Sequence, residues 1–447
     1  VNRFLLFKKE TIEMKNIKLY LAFFVLLVLS ACSIDEQFDP NGPSEASVLT
    51  EADPIELDLL IYGAASRMRL AWDVYCTSTG TVARELYLFD ADPRNTEDLL
   101  GKDGVSLDNN TFYLTASYNT RYQTIKDCNL LLNALENATA ETTEAKKQGY
   151  RGVANTFKAL MLSHELMRLN DNGIRVDVED RDNLGPFLSK SDAFTAIIAL
   201  LDDGFTQLQG AEFNFSIPGF DGFNTPEGFA QFNRAVKSRI AVYSEDYELA
   251  LRTLPDSHFD LDGDLNFGPQ HIFSTASGDL LNPLFKTPGQ SGDQIIVHNS
   301  LLEDIRDGDT RINKFRERVN ATSQDGLNGT HETALYESAL SPIDILRNEE
   351  LILIYAEASI QTDNLGNAVD AINVIRNAHG LGDYDGEVNK GALIDEMLYQ
   401  RRYSFWGEGH RMFDLRRYGL LNEDFLPIDR PGDQVFQQFP IPLNENQ

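Results

Sequence analysis

The sequence predicts a mainly α-helical fold, and three observations predict it. Apolar residues recur three and four apart through most of the chain, as at Ile197, Leu200, Leu201, Phe205 and Leu208. Several of these segments fall into pairs of similar length with small residues where two helices would cross. No run of alternating apolar and polar residues is long enough to claim a sheet, although short strand pairs fit within the loops.

Taken in order, "PIELDLLIYGAASRMRLAW" (54–72) reads as an amphipathic first helix, with Trp72 late in it. "SYNTRYQTIKDCNLLLNAL" (117–135), "GYRGVANTFKALMLSHELMRL" (149–169) and "SDAFTAIIALLDDGFTQL" (191–208) follow. "FAQFNRAVKSRIAVYSEDYELALRTL" (229–254) holds a turn at 243–247 between two helices. The clearest pair is "NEELILIYAEASIQTDNLGNAVDAINVIRNAHG" (348–380). One helix ends near Gln361, a turn holds Asn364 and Gly366, and a second helix runs to Ala378. Ala356, Ala358, Ala368 and Ala371 let the two axes approach. Helix length and small-residue placement resemble tetratricopeptide repeats, with an irregular period. Two regions, 76–113 and 254–340, break the helical rhythm with Gly, Pro, Asn and Asp. Both are rich in aromatics, which argues for ordered functional loops rather than disorder.

With 447 residues and 42% hydrophobic content, the chain can bury a large core. Its net charge of −30 repels phosphate backbones and excludes nucleic acid as a partner. Residues 14–32, "MKNIKLYLAFFVLLVLSAC", open on Met14 with Lys15 and Lys18, then run apolar over 19–29. That core has signal-peptide length and is too short to span a bilayer. It ends Leu29-Ser30-Ala31-Cys32, which resembles the lipobox of bacterial lipoproteins and marks Cys32 for acylation. An ordinary secretory signal is the alternative. The expected organisation is an upstream extension and lipoprotein signal over 1–31, a flexible tether over 32–50, and one nutrient-binding domain over 51–447. Asp35 and Glu36 behind the cysteine resemble surface-export signals of lipoproteins in Bacteroidota. Cys76 and Cys128 either pair in an oxidising compartment or stay as buried free thiols.

Catalytic signatures are missing. His164-Glu165 lacks the second histidine of a zinc helix, and there is no G-x-S-x-G, no phosphate loop and no cofactor motif. "DLDGDLNFG" spaces Asp260, Asp262 and Asp264 alternately, but Leu265 and His271 stand where an EF-hand needs Gly and Glu. The expectation is a protein that is not an enzyme and holds no metal or cofactor. Residues 400–419, "QRRYSFWGEGHRMFDLRRYG", carry five arginines, Glu408, Asp414 and His410. Such a cluster at a helix-ending bend most often forms buried guanidinium–carboxylate forks.

Four stretches carry a specific resemblance: "LRNEELILIYAEASI", "NAVDAINVIRNAHGL", "RRYSFWGEGHRMFDLRRYG" and "FPIPLNEN". In that order they resemble the SusD/RagB family of outer-membrane nutrient-binding lipoproteins. "YQTIKDCNLLLNAL" and "GDTR" (308–311) look like earlier landmarks of the same family. Gln400 and Ser404 stand where the family usually has carboxylates. The resemblance implies a single α-helical domain with four tetratricopeptide-like helix pairs plus long irregular loops. It also implies a lipid-anchored protein facing outward from the outer membrane, which binds oligosaccharide or another nutrient and delivers it to a TonB-dependent transporter. A surface-attached glycosidase or peptidase without a recognisable motif is the alternative.

Sugars are held by flat aromatics, with Asp, Asn and Arg bonding the hydroxyls. The first loop supplies that mixture in Arg84, Tyr87, Phe89, Asp92, Arg94, Asn95 and Tyr113, the expected ligand site. The second loop region offers Phe220, Phe223, Asn282, Phe285 and Tyr336. Trp406 is a poor platform inside the helix-ending block, and Trp72 fits either core or site. On this reading, Tyr87→Ala weakens glycan retention and leaves the fold intact.

Overall fold

A computed structural model describes residues 45–180 and 182–446. The expected signal segment, Cys32 and most of the expected tether lie outside the described residues. Val48–Gln447 is one compact unit. Helix α1 (Glu45–Glu51) occupies the end of the stretch expected as tether.

Helix α2 (Pro54–Arg67) starts where the sequence places it. Asp53 accepts from the amides of Ile55 and Glu56, Glu56 returns a bond to the Asp53 amide, and Pro54 supplies a preset φ. It stops five residues short of the expected end. Ala71 adopts a left-handed φ of 51°, and Trp72 opens a separate helix, α3 (Trp72–Val82). The sequence hid α3 because Thr77, Ser78, Thr79, Gly80, Thr81 and Val82 are poor helix formers. Burial overrides propensity here, and the hydroxyls are absorbed locally: Thr77 donates to the Asp73 carbonyl at 2.7 Å and Thr79 to that of Tyr75 at 2.8 Å.

The helices that follow are α4 (Phe112–Glu136), α5 (Glu144–Leu169), α6 (Lys190–Leu208), α7 (Pro226–Tyr243) and α8 (Tyr247–Thr253). After a short α9 (Asn299–Asp304) come α10 (Asn348–Gln361), α11 (Leu365–Ala378), α12 (Lys390–Ser404) and α13 (Arg411–Arg417). α2 packs on α4, α5 on α6, α7 on α8 and α10 on α11, and each pair packs on the next; α12 closes the array against α10 and α11. These are the four helix pairs of the expected architecture. Ala356, Ala358, Ala368 and Ala371 are all fully buried at the last pair. Between α5 and α6 the same closeness needs glycine: a Cβ on Gly152 would meet Leu208 at 2.6 Å.

The two irregular regions contain a sheet that the sequence did not announce. β1 (Leu86–Asp90), β5 (Asp293–Val297), β7 (Leu327–Thr333) and β6 (Phe315–Gln324) pair in that order. β1 lies antiparallel to β5 with Tyr87 opposite Ile296. The other two-residue strands pair as β2 (Ile174–Arg175) with β3 (Phe187–Leu188), and β4 (Gln270–His271) with β8 (Ile343–Asp344). β6 escaped notice because its alternation carries almost no apolar signal: "FRERVNATSQ" points Val319 into solvent at 99% exposure. Cys76 and Cys128 are buried free thiols. Among the described residues, no helix is long and apolar enough to cross a membrane.

Candidate functional site

The structure places most of the expected ligand residues in the interior. Arg84, Tyr87, Phe89, Asn95 and Tyr113 are buried. Arg84 donates to the Val82 carbonyl at 2.9 Å and to that of Gln434 at 2.7 Å. The Tyr87 hydroxyl donates to Asp429 at 2.5 Å, and its ring stacks on Phe89 at 5.8 Å. Asn95 donates to Asp90, while Tyr113 donates to Asp98 and accepts the Asp108 amide. Asp92 and Arg94 stay nearer the surface and fork to each other. A ring with no free face cannot stack on a sugar. This loop instead clamps β1 to the C-terminal segment around residues 429–434. Phe220, Phe223 and Asn282 are likewise buried, Phe220 against Phe157, Phe229 and Phe232.

Tyr336 is different in being half-buried; Trp72, at 9% exposure, is buried but borders open space. Both line a cavity of about 280 Å³ between α3, α5, α7, the start of α10, β8 with its flanks, and the turn after α12. The first turn of α3 puts Trp72 and Tyr75 three apart on one face, so their rings stack at 4.9 Å and 9°. His164 on α5 sits 5.2 Å from both rings. Its Nδ1 has no hydrogen-bond partner among the described residues, and burial, then the Arg121 and Arg239 cations, pushes its pKa well below the usual value. It is therefore a neutral imidazole, with its Nδ1 shut off from solvent. Tyr336 is half-buried, while Glu337 and Pro342 are exposed at the mouth.

The opposite wall is ionic. Arg239 on α7 forks to Glu350 on α10, both bonds at 2.5 Å. Burial pushes Glu350 up, but the Arg239 cation outweighs it and holds the carboxyl below its ordinary range. Arg347 donates to Glu408 at 2.6 Å, to Glu349 at 3.0 Å and to the Ser404 carbonyl at 2.8 Å. His410 meets the Tyr243 hydroxyl at 3.0 Å, and burial lowers its pKa to about 4.

The 400–419 block thus has two jobs. Its arginines are scaffold: Arg401 forks to Asp414, Arg417 forks to Glu357, and Arg402 reaches Asp304 and Ser300. Its bend is also a wall of the cavity, through Glu408, Gly409 and His410. Gly409 has φ +83°, and a Cβ there would meet the Tyr75 ring at 2.9 Å, so glycine is what lets the bend touch the aromatic pair. The sequence favoured the scaffold role and left a binding or catalytic role as the alternative; nothing local marks Glu408, Gly409 and His410 as a cavity wall. Asp260 and Asp264 spend oxygens on the amides of Asp262 and Asn266, and no group of three metal-ligating side chains occurs among the described residues.

The SusD family model matches residues 306–444, the stretch that runs from "GDTR" through α10–α13 to the closing 3-10 turn. Over that span the chain is similar to the SusD family. The SusD-like fold extends well beyond it. A SusD superfamily protein from Bacteroides vulgatus is 16% identical, with 88% of this chain and 96% of that one covered and a TM-score of 0.62. Surface glycan-binding protein A from Bacteroides thetaiotaomicron is 14% identical over 88% and 96%, with a TM-score of 0.68. The same protein solved in complex with laminarihexaose is 15% identical over 88% and 97%, with a TM-score of 0.63. At these identities the likeness is one of fold. No curated protein matches the SusD-like sequence.

Proposed function

We propose that this SusD-like chain is a cell-surface lipoprotein that binds oligosaccharide and delivers it to a partner TonB-dependent transporter in the outer membrane, without chemical turnover. Cys32 carries the lipid anchor, and the folded unit follows its tether. The observation that carries the reading is the cavity lined by a stacked Trp72–Tyr75 pair, with half-buried Tyr336 and exposed Glu337 at its mouth. Flat rings pack against the C–H faces of a sugar while polar atoms bond its hydroxyls. The volume is just below the ~300–1,000 Å³ typical of small-molecule sites, and suits one ring of a longer chain. A relative in fold has been solved with laminarihexaose, which supports the ligand class.

The ligand site therefore moves from the 84–113 loop to this cavity. Asp92 and Arg94, the accessible members of the original set, remain available to a ligand that extends over the surface. Retardation of the full chain in polysaccharide-containing gels, beside a turnover assay on the same polysaccharides, tests the proposal. Tyr336→Ala is expected to lose retention, and no polysaccharide is expected to be cut. Hydrolysis abolished by one carboxylate substitution in the cavity would establish the glycosidase alternative instead.

A further inference from the structure

The cavity's charges say which sugars it takes; this step rests on the cavity being the glycan site. Two cations line it, Arg239 and Arg347, against four carboxylates, Glu337, Asp344, Glu350 and Glu408. Both guanidiniums are already matched. Arg239 is forked to Glu350, and Arg347 is shared among Glu408, Glu349 and, at 3.5 Å, Asp344. Arg347 has every side-chain nitrogen in a hydrogen bond. Nη1 of Arg239 is without one, but it belongs to a cation that Glu350 neutralises. Glu337 stands exposed at the mouth with no ion-pair partner among the described residues. Burial keeps His164 and His410 neutral, so neither adds positive charge at pH 7.

We propose that the cleft selects uncharged sugars and rejects those bearing uronate or sulfate. An entering carboxylate finds no free guanidinium. It would have to draw Arg239 away from Glu350, or share the one unbonded Arg239 nitrogen with Glu350 still in place, and lie near Glu337 and Glu408, each unfavourable in a half-buried site. A hydroxyl-bearing ring meets the opposite situation. The Glu408 oxygen not used by Arg347 and the Glu337 carboxylate accept its O–H groups. The net charge of −30 across the chain adds a long-range field of the same sign.

The test uses matched pairs on the full chain: neutral oligosaccharides, such as mannan, cellulose and starch fragments, each beside its C6-oxidised uronate counterpart. Affinities are measured by calorimetry at about 20 mM and about 300 mM salt, where screening differs strongly. The expected result is that any neutral member that binds outcompetes its oxidised twin by roughly tenfold at low salt. Glu337→Gln, an exposed position with no ion pair to orphan, removes the charge but keeps an acceptor oxygen, so it should narrow that gap several-fold with only a small loss of neutral affinity. High salt should narrow it as well. An oxidised member that binds as tightly as its neutral twin, or a gap that Glu337→Gln leaves intact, would overturn the selectivity. Binding of neither member of any pair overturns the glycan reading itself, a different outcome.

Discussion

Tyr87→Ala separates the two placements of the site. Tyr87 is 3% exposed, its ring stacks on Phe89, and its hydroxyl donates to Asp429 at 2.5 Å. Deleting a buried aromatic ring of this kind costs about 3–5 kcal/mol. Asp429 keeps its 2.9 Å contact to His298, so the orphaned acceptor adds only about 1 kcal/mol. For the folded unit Val48–Gln447, an unfolding entropy of ~2.1 cal/mol/K per residue sums to roughly 0.8 kcal/mol/K. A loss of ~4 kcal/mol at the midpoint therefore lowers Tm by about 5 °C. Tyr87→Phe removes only the hydroxyl and should shift Tm by about 1–2 °C. Calorimetric melts of both variants, with gel retardation by glycan below their transitions, give the comparison. The expected pattern is a destabilised Tyr87→Ala that still binds, beside a Tyr336→Ala that melts normally and does not. A Tyr87→Ala protein with wild-type Tm and lost retention would refute the burial argument and return the site to the 84–113 loop.

Asp414→Asn should be among the most destabilising single changes in the 400–419 block. It breaks the buried fork to Arg401 and leaves the guanidinium uncompensated, at about 3–5 kcal/mol in chemical denaturation. Stability should also fall steeply on mild acidification. Burial lowers His258 and His410 to about 4 and His271 to about 3, against 6.5 in the unfolded chain. Between pH 6.5 and about 4 the unfolded state binds more protons, so stability rises with pH and is lost as pH falls. His258→Phe, within a pocket formed with Phe223 and Phe267, should reduce that slope by up to about 1.4 kcal/mol per pH unit; an unchanged slope would show that His258 does not titrate there. Finally, Cys32→Ala should release the protein from membranes, and continued fatty-acid labelling of that variant would place the lipid elsewhere.

The sequence by itself determined most of the helices and the pairing of α10 with α11, but not α3, whose residues are poor helix formers. The 243–247 turn and the alanines of α10 and α11 are local or nearly local signals that the structure keeps, whereas α2 ends five residues before its apolar pattern does. It also foretold the arginine forks, because a guanidinium at a buried bend has few ways to be satisfied. Tertiary structure alone decided which aromatics are free. Tyr87 and Tyr336 both stand in polar, turn-rich sequence, yet one is locked by Asp429, far along the chain, and the other faces a cavity. Trp72 was likewise undecided until Ala71 turned left-handed and set it, with Tyr75, against the Gly409 bend. Exposure depends on residues hundreds of positions away, which no periodicity encodes. The composition of a loop shows that it can hold a sugar; the chain that packs over it decides whether it does.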